Sequence, residues 1–251
     1  MSDYGFPTET IDLPSKGLLY PDQSPLRNGQ VDIKYMTAKE EDILTSTNLI
    51  QKGTVLDKLM DSLVVTKGVR PDDMLLGDLN AVMVASRILA YGKEYPVKIT
   101  CNSCQHTFEH TINLAELPMQ LPESEGWVNG ERELTLPTGI VITYKLLTRG
   151  DEKAIKAEVD ALKKFNNSVE PDASTRLKYT VTSVNGNRDR KFVRDFVDSM
   201  IIRDIRALRQ EMKRVSPDVD FDIVVMCDAC NTENKLRMPF GANFFWPDLG
   251  A

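Results

Sequence analysis

LLGDLNAVMVASRILAYGKEYPVKITCNSC (residues 75–104) and IIRDIRALRQEMKRVSPDVDFDIVVMCDAC (residues 201–230) lie on one another without a gap. At this offset of 126 residues, Leu75 and Leu76 fall on Ile201 and Ile202, Asp78 on Asp204, Leu79 on Ile205 and Ala81 on Ala207. Further along, Arg87 falls on Lys213, Tyr95 on Phe221 and Val97 on Ile223. The register closes with Cys101 on Cys227 and Cys104 on Cys230. Chance supplies a few such matches, but a whole register of this kind marks an internal repeat.

The repeat continues upstream with different loop lengths. TIDLPSKG (10–17) resembles ELTLPTG (133–139): each is an alternating strand that ends in Leu-Pro-Ser/Thr and a turn glycine. KYMTAKEEDIL (34–44) resembles KLLTRGDEKAI (145–155). In both, a threonine precedes an acidic residue by three positions, the pattern of a helix-starting capping box, with Asp151 where Glu is preferred. The chain therefore reads as two copies of one unit, roughly 10–117 and 133–249. The corresponding divisions are a first repeat with an N-terminal arm over 1–120, a linker over 121–132 and a second repeat over 133–251.

Apolar spacing fills in each unit. Val55, Leu56, Leu59, Met60, Leu63 and Val64 form a helical stripe that stops near Gly68, and Leu79, Val82, Met83 and Leu89 form another before Gly92. In the second unit Ile155, Val159 and Leu162 make one stripe, Phe192, Val193, Phe196 and Val197 another, and Ile205 and Leu208 begin a third. These stripes are core positions. FNNSVEPDAS (165–174) and NGNRD (185–189) read as loops. Each unit ends in strand, Cys-x-x-Cys, strand, and the predicted class is α+β with two CxxC β-hairpins.

Two thiolates are half of a tetrahedral metal site. If the two hairpins meet about a pseudo-twofold axis, Cys101, Cys104, Cys227 and Cys230 supply four thiolates to a closed, zinc-ribbon-like structural Zn²⁺ site that staples the copies together. A chain with no basic-plus-apolar leader and no apolar run near roughly twenty residues is expected in a reducing compartment and off the membrane. There, paired CxxC turns favour zinc over disulfides. Three other readings stand beside it. Cys101 and Cys104 could take His106 and His110 as a local set, although the second copy has no matching histidines. A redox CxxC is expected at a helix N-terminus, whereas both pairs follow strand-like runs. The four cysteines could also be reduced and metal-free.

Composition narrows the function. A net charge of −6 and a pI near 5.1 argue against a nucleic-acid surface, which normally shows a clustered basic excess. Paired CxxC knuckles also occur in nucleic-acid-binding and transcription-associated zinc ribbons, but CNSCQHTFEHT and CDACNTENK carry only one lysine between them. No GxSxG, HExxH or GxxxxGK[ST] is present, and a closed thiolate site has no open position for substrate or water. The expectation is no enzyme and no small-molecule substrate. SDYGFPTETIDLPSKGLLYPDQSPL (2–26) reads as either a partner-embracing arm or an edge strand of the first copy. Phe240, Phe244, Phe245 and Trp246 read as a clasp over the core, with an interface anchor as the alternative.

IDLPSKGLLYP, then NGQVDIKYMTAKEEDIL, the 75–104 stretch, and finally CDACNTENKLRMPFGANFFWPDL together resemble the T4-like bacteriophage baseplate hub assembly family. The resemblance spans nearly the whole chain. It implies a late, virion-assembly protein of the contractile tail, either a hub subunit or an assembly factor of chaperone type. The partners it implies are other baseplate hub proteins, met in the host cytoplasm or in the virion tail. The family has no enzymatic residues to carry over, so only the four cysteines map as a site.

Overall fold

The computed structural model describes residues 7–123, 125–164, 171–238 and 242–245. Its first half runs β1 (Thr8–Asp12), β2 (Gln30–Lys34), α1 (Ala38–Thr45), α2 (Thr47–Gln51), α3 (Val55–Leu63), α4 (Leu76–Tyr91), β3 (Glu94–Thr100), β4 (Thr107–Asn113) and β5 (Met119–Gln120). The second half runs β6 (Trp127–Val128), β7 (Glu131–Thr135), β8 (Val141–Lys145), α5 (Arg149–Lys163), α6 (Asp172–Thr180), β9 (Val181–Val184), α7 (Arg190–Ser199), α8 (Ile202–Val215), β10 (Asp218–Val219), β11 (Asp222–Met226) and β12 (Glu233–Arg237). The fold is mixed α+β. Among the described residues all strand pairings are antiparallel: β1–β2, β3–β4, β11–β12, β5–β10 and a four-stranded sheet in the order β6-β7-β8-β9.

The apolar stripes form helices where their period requires. α3 turns Val55, Leu59, Met60 and Leu63 inward. α4 is buried on several sides, with Leu79, Ala81, Val82, Val84, Ser86 and Arg87 all inside, so it is the central helix of the core. One continuous apolar cluster runs from Leu13 through α4 and β8 to Phe245 and so takes residues from both halves. A smaller cluster of Ile99, Cys101, Phe108, Val225 and Cys227 lies between the β3–β4 and β11–β12 hairpins.

The same contacts occur at matching places in the two halves. In the first, Thr37 N–H donates to the Glu40 carboxylate at 2.9 Å, and Lys34 at the end of β2 pairs with Glu40 at 2.7 Å. In the second, Thr148 N–H donates to Asp151 at 3.0 Å, and Lys145 at the end of β8 pairs with Asp151 at 2.8 Å. The Leu-Pro-Ser turn points Ser15 N–H and Oγ at Asp78 (2.9 and 2.7 Å), in the first turn of α4. The Leu-Pro-Thr turn points Thr138 N–H and Oγ1 at Asp204 (3.3 and 2.7 Å), in the first turn of α8. Tyr20 OH adds a third donor to Asp78 at 2.6 Å, and it in turn accepts from Leu75 N–H. Burial raises the Asp78 carboxyl above its ordinary value, and the Ser15 and Tyr20 donors pull against that rise.

The halves join directly as well. Leu75 bridges Thr148, and Arg149 N–H donates to Met74 O at 3.0 Å. The buried Arg149 guanidinium reaches Asp57 at 2.7 Å and Asp61 at 2.9 Å on α3. Gly77 lets α4 lie against the chain at Pro217, because a Cβ there would stand 1.9 Å from the Pro217 carbonyl oxygen.

Three readings gain detail. The stretch 121–132, read as a linker, carries β6 and the start of β7, joined by an Asn129–Gly130 turn with both residues at positive φ (52° and 79°). That is a two-residue hairpin turn whose twist suits the flanking strands. The loop read over 165–174 gives way to α6 from Asp172, and residues 165–170 lie outside the described residues. In the N-terminal stretch, β1 is an exposed strand on β2, but Leu13, Leu19, Tyr20 and Leu26 beyond it are buried in the main core. That segment is part of the domain itself rather than a free arm; residues 1–6 lie outside the described residues. Phe244 and Phe245 are buried against Tyr95 and each other, the core clasp, while Phe240 and Trp246 lie outside the described residues.

Candidate metal centre

Both CxxC turns interrupt a β-hairpin in the same way. Cys101 N–H donates to His106 O at 2.8 Å and Gln105 N–H to Cys101 O at 3.0 Å. In the other hairpin Cys227 N–H donates to Thr232 O at 3.0 Å and Asn231 N–H to Cys227 O at 2.9 Å. Reversing the chain so tightly puts Gln105 (φ 60°) and Asn231 (φ 54°) in the left-handed region. The outcome is a knuckle in which main-chain N–H groups face sulfur: Ser103 N–H lies 3.4 Å from Cys101 Sγ.

The two knuckles meet. Cys101 Sγ lies 3.7 Å from Cys230 Sγ, and Cys104 Sγ lies 3.7 Å from Cys227 Sγ. All four sulfurs fall within 4.8 Å of one another, and each cysteine is a free thiol. The first cysteine of each turn is buried on the small apolar cluster and the second is exposed. His106 Nε2 lies 3.1 Å from the Asp228 carboxylate of the opposite knuckle, and His110 sits within β4. Among the described residues, the group whose ligand atoms converge is the four cysteines, which removes the local two-cysteine, two-histidine reading. Both pairs follow strands, not helix starts, so no helix dipole acts on them as it does on a redox CxxC.

The donor set fits a tetrahedral ion. Four sulfurs at about 2.3 Å from Zn²⁺ lie about 3.8 Å apart, close to the two cross-knuckle separations. The thiols differ in their electrostatics. The Cys104 N–H, with help from Ser103 and Asn234, lowers the Cys101 thiol to about 6. Cys230 is also lowered, first by the Thr232 hydroxyl. Cys104 is pushed up to about 12: the His106 N–H acts to lower it, but contact with the other sulfurs outweighs that donor. Four adjacent thiolates repel one another, and a central cation is what lets all of them ionise.

Asn234 belongs to this site, and spacing alone did not single it out. Its carboxamide accepts from Asn102 N–H at 2.9 Å while Nδ2 faces Cys101 Sγ at 3.7 Å, so a buried side chain of the second hairpin clips the first knuckle. The only signal in the sequence is a polar residue at an inward position of β12, between Glu233 and Lys235.

Fold and site together define a mixed α+β protein whose two CxxC hairpins gather four sulfurs at one point, a closed arrangement suited to holding structure. No described helix is long and apolar enough to cross a membrane. The family model for T4 bacteriophage base plate protein matches residues 8–246, and the chain belongs to that family. Its role is therefore baseplate-related, structural or in assembly, with protein partners in the phage baseplate. Neither the curated proteins nor the solved structures gave a significant match.

Proposed function

We propose that this chain acts, without catalysis, in building the hub of the phage tail baseplate, either as an assembly factor or as a hub subunit. Its partners are other hub proteins, met in the host cytoplasm during assembly. The match over residues 8–246 carries the reading, because it takes in both hairpins and the core between them. We read the chain as two copies of one unit, 1–120 and 133–251, joined through 121–132. The matching Ser15–Asp78 and Thr138–Asp204 contacts support this. So do the matching Lys34–Glu40 and Lys145–Asp151 pairs. In this reading Cys101, Cys104, Cys227 and Cys230 hold a structural Zn²⁺ between the copies; four thiolates leave no open coordination position, so the ion supplies cohesion and no chemistry. The test is a phage lacking this chain, with and without the chain supplied in trans. Tail yield restored only by the supplied chain supports the reading, and its presence in or absence from purified tails separates subunit from factor. Normal tails formed without it would refute the role.

A further inference from the structure

A cleft of about 490 Å³ opens between the start of α4, the end of β8, α6 and α8. Leu76, Leu146, Leu147, Leu177 and Met212 form its apolar wall, and Arg209 stands among them. Arg209 belongs to a stripe. Ile202, Arg206, Arg209 and Lys213 recur at helical spacing on one exposed side of α8, and Ile202 is 70% exposed. Among the described residues no carboxylate pairs with Arg206, Arg209 or Lys213. This is unlike Arg176 on the opposite rim, which is held by Glu152 and Asp172. Glu152, Asp172 and Asp218 also line the cleft, so on this chain of net charge −6 the positive field is confined to the α8 rim, where three neighbouring cations stand unpaired. The stripe spans about 10 Å from Arg206 to Lys213.

We infer that this cleft receives an acidic, leucine-like segment of a partner protein: apolar side chains enter the cleft while flanking carboxylates meet Arg206, Arg209 and Lys213. Charge complementarity along the α8 rim selects that occupant: its carboxylates gain Arg206, Arg209 and Lys213 there, while Glu152, Asp172 and Asp218 in the lining repel carboxylates and leave the cleft itself to apolar side chains. Nucleic acid fits less well, because the wall is aliphatic and no aromatic ring lines it for a base to stack on. The inference rests on the baseplate reading for one point, that the occupant is a protein.

The test uses the full chain and fluorescein-labelled ten-residue peptides of Glu and Leu, with Lys/Leu and Glu/Ser peptides as controls, followed by fluorescence anisotropy. The Glu/Leu peptide binds, more weakly as salt rises, and its affinity falls at least about tenfold in Arg209→Glu and in Ala173→Trp. The first substitution reverses the charge and the second fills the cleft mouth; both positions are exposed, and melting curves establish that the variants fold. If Ala173→Trp does not fold, the Arg206→Glu/Arg209→Glu pair takes its place. Undiminished binding in the variants, equal binding of the Lys/Leu peptide, displacement by oligo-dT, or self-association lost in Arg209→Glu would each overturn the inference. Complementation separates the two levels. If the wild-type chain fails to restore tails, the baseplate role falls; if wild type and both variants restore them equally, only the cleft does.

Discussion

Asp78 and Asp204 show how single side chains hold this molecule. Each is buried, and each takes a turn N–H and a hydroxyl from the Leu-Pro-Ser/Thr turn that precedes it in the chain by some sixty residues. A hydroxyl bonded to a buried carboxylate contributes about 1.5–3 kcal/mol. Ser15→Ala and Thr138→Ala are therefore expected to destabilise by that amount each in urea unfolding, with Ser15→Ala the larger because the hydroxyl contact it deletes is fully buried while that of Thr138 is part-buried. A neutral outcome at both positions would remove these contacts from the account of stability. Gly77 is a second such residue: Gly77→Ala drives a Cβ into the Pro217 carbonyl and is expected to cost about 3 kcal/mol, measured by the same unfolding curves.

At the scale of elements, Glu40 ties β2 to α1 and α3. It accepts from Lys34, Thr37 and Ser62, and although burial acts to raise it, those donors hold its carboxyl down at about 2. Its folded value lies below its unfolded one, so its contribution is full above about pH 4.5 and is lost as pH falls through that range toward 2. Glu40→Gln is expected to lower stability at pH 7 by about 2–3 kcal/mol and to flatten the acid limb of the stability curve between those pH values. An unchanged acid limb would contradict this. Much of this scale was legible in the sequence: both threonine-led helix starts, the stripes of α3, α4, α7 and α8, and the CxxC hairpins are present, although Phe192 of the α7 stripe is exposed. α6 escaped because two of its three buried positions are Thr175 and Thr180, whose hydroxyls erase the apolar period. The β6–β7 hairpin escaped because its turn pair, Asn129–Gly130, sits in a polar stretch that resembles a linker. The buried Leu13–Leu26 segment escaped for a related reason, since an irregular chain packed into a core has no period to detect.

For the whole molecule, the meeting of the two CxxC pairs is the feature furthest from local pattern, and it follows from the sequence only if the chain is read as two copies of one unit. Residues 126 positions apart share no local signal; only equivalence of the two hairpins suggested that they face each other. Their small apolar cluster is distinct from the main core, which itself draws on both halves, and meets it only through residues such as Val97 and Ile223. Metal removal is therefore expected to loosen the hairpins before the rest: hydrogen exchange should rise over 94–113 and 222–237 on chelation while α4 stays protected. Uniform loss of protection would show that the metal holds the entire fold.

Native mass spectrometry of the purified chain, before and after mild acid, tests the central claim most directly. The account predicts one zinc per chain, released by acid as the thiolates protonate, and absent alike from Cys101→Ser and Cys227→Ser. A folded, zinc-free monomer, or zinc retained in either variant, would contradict it.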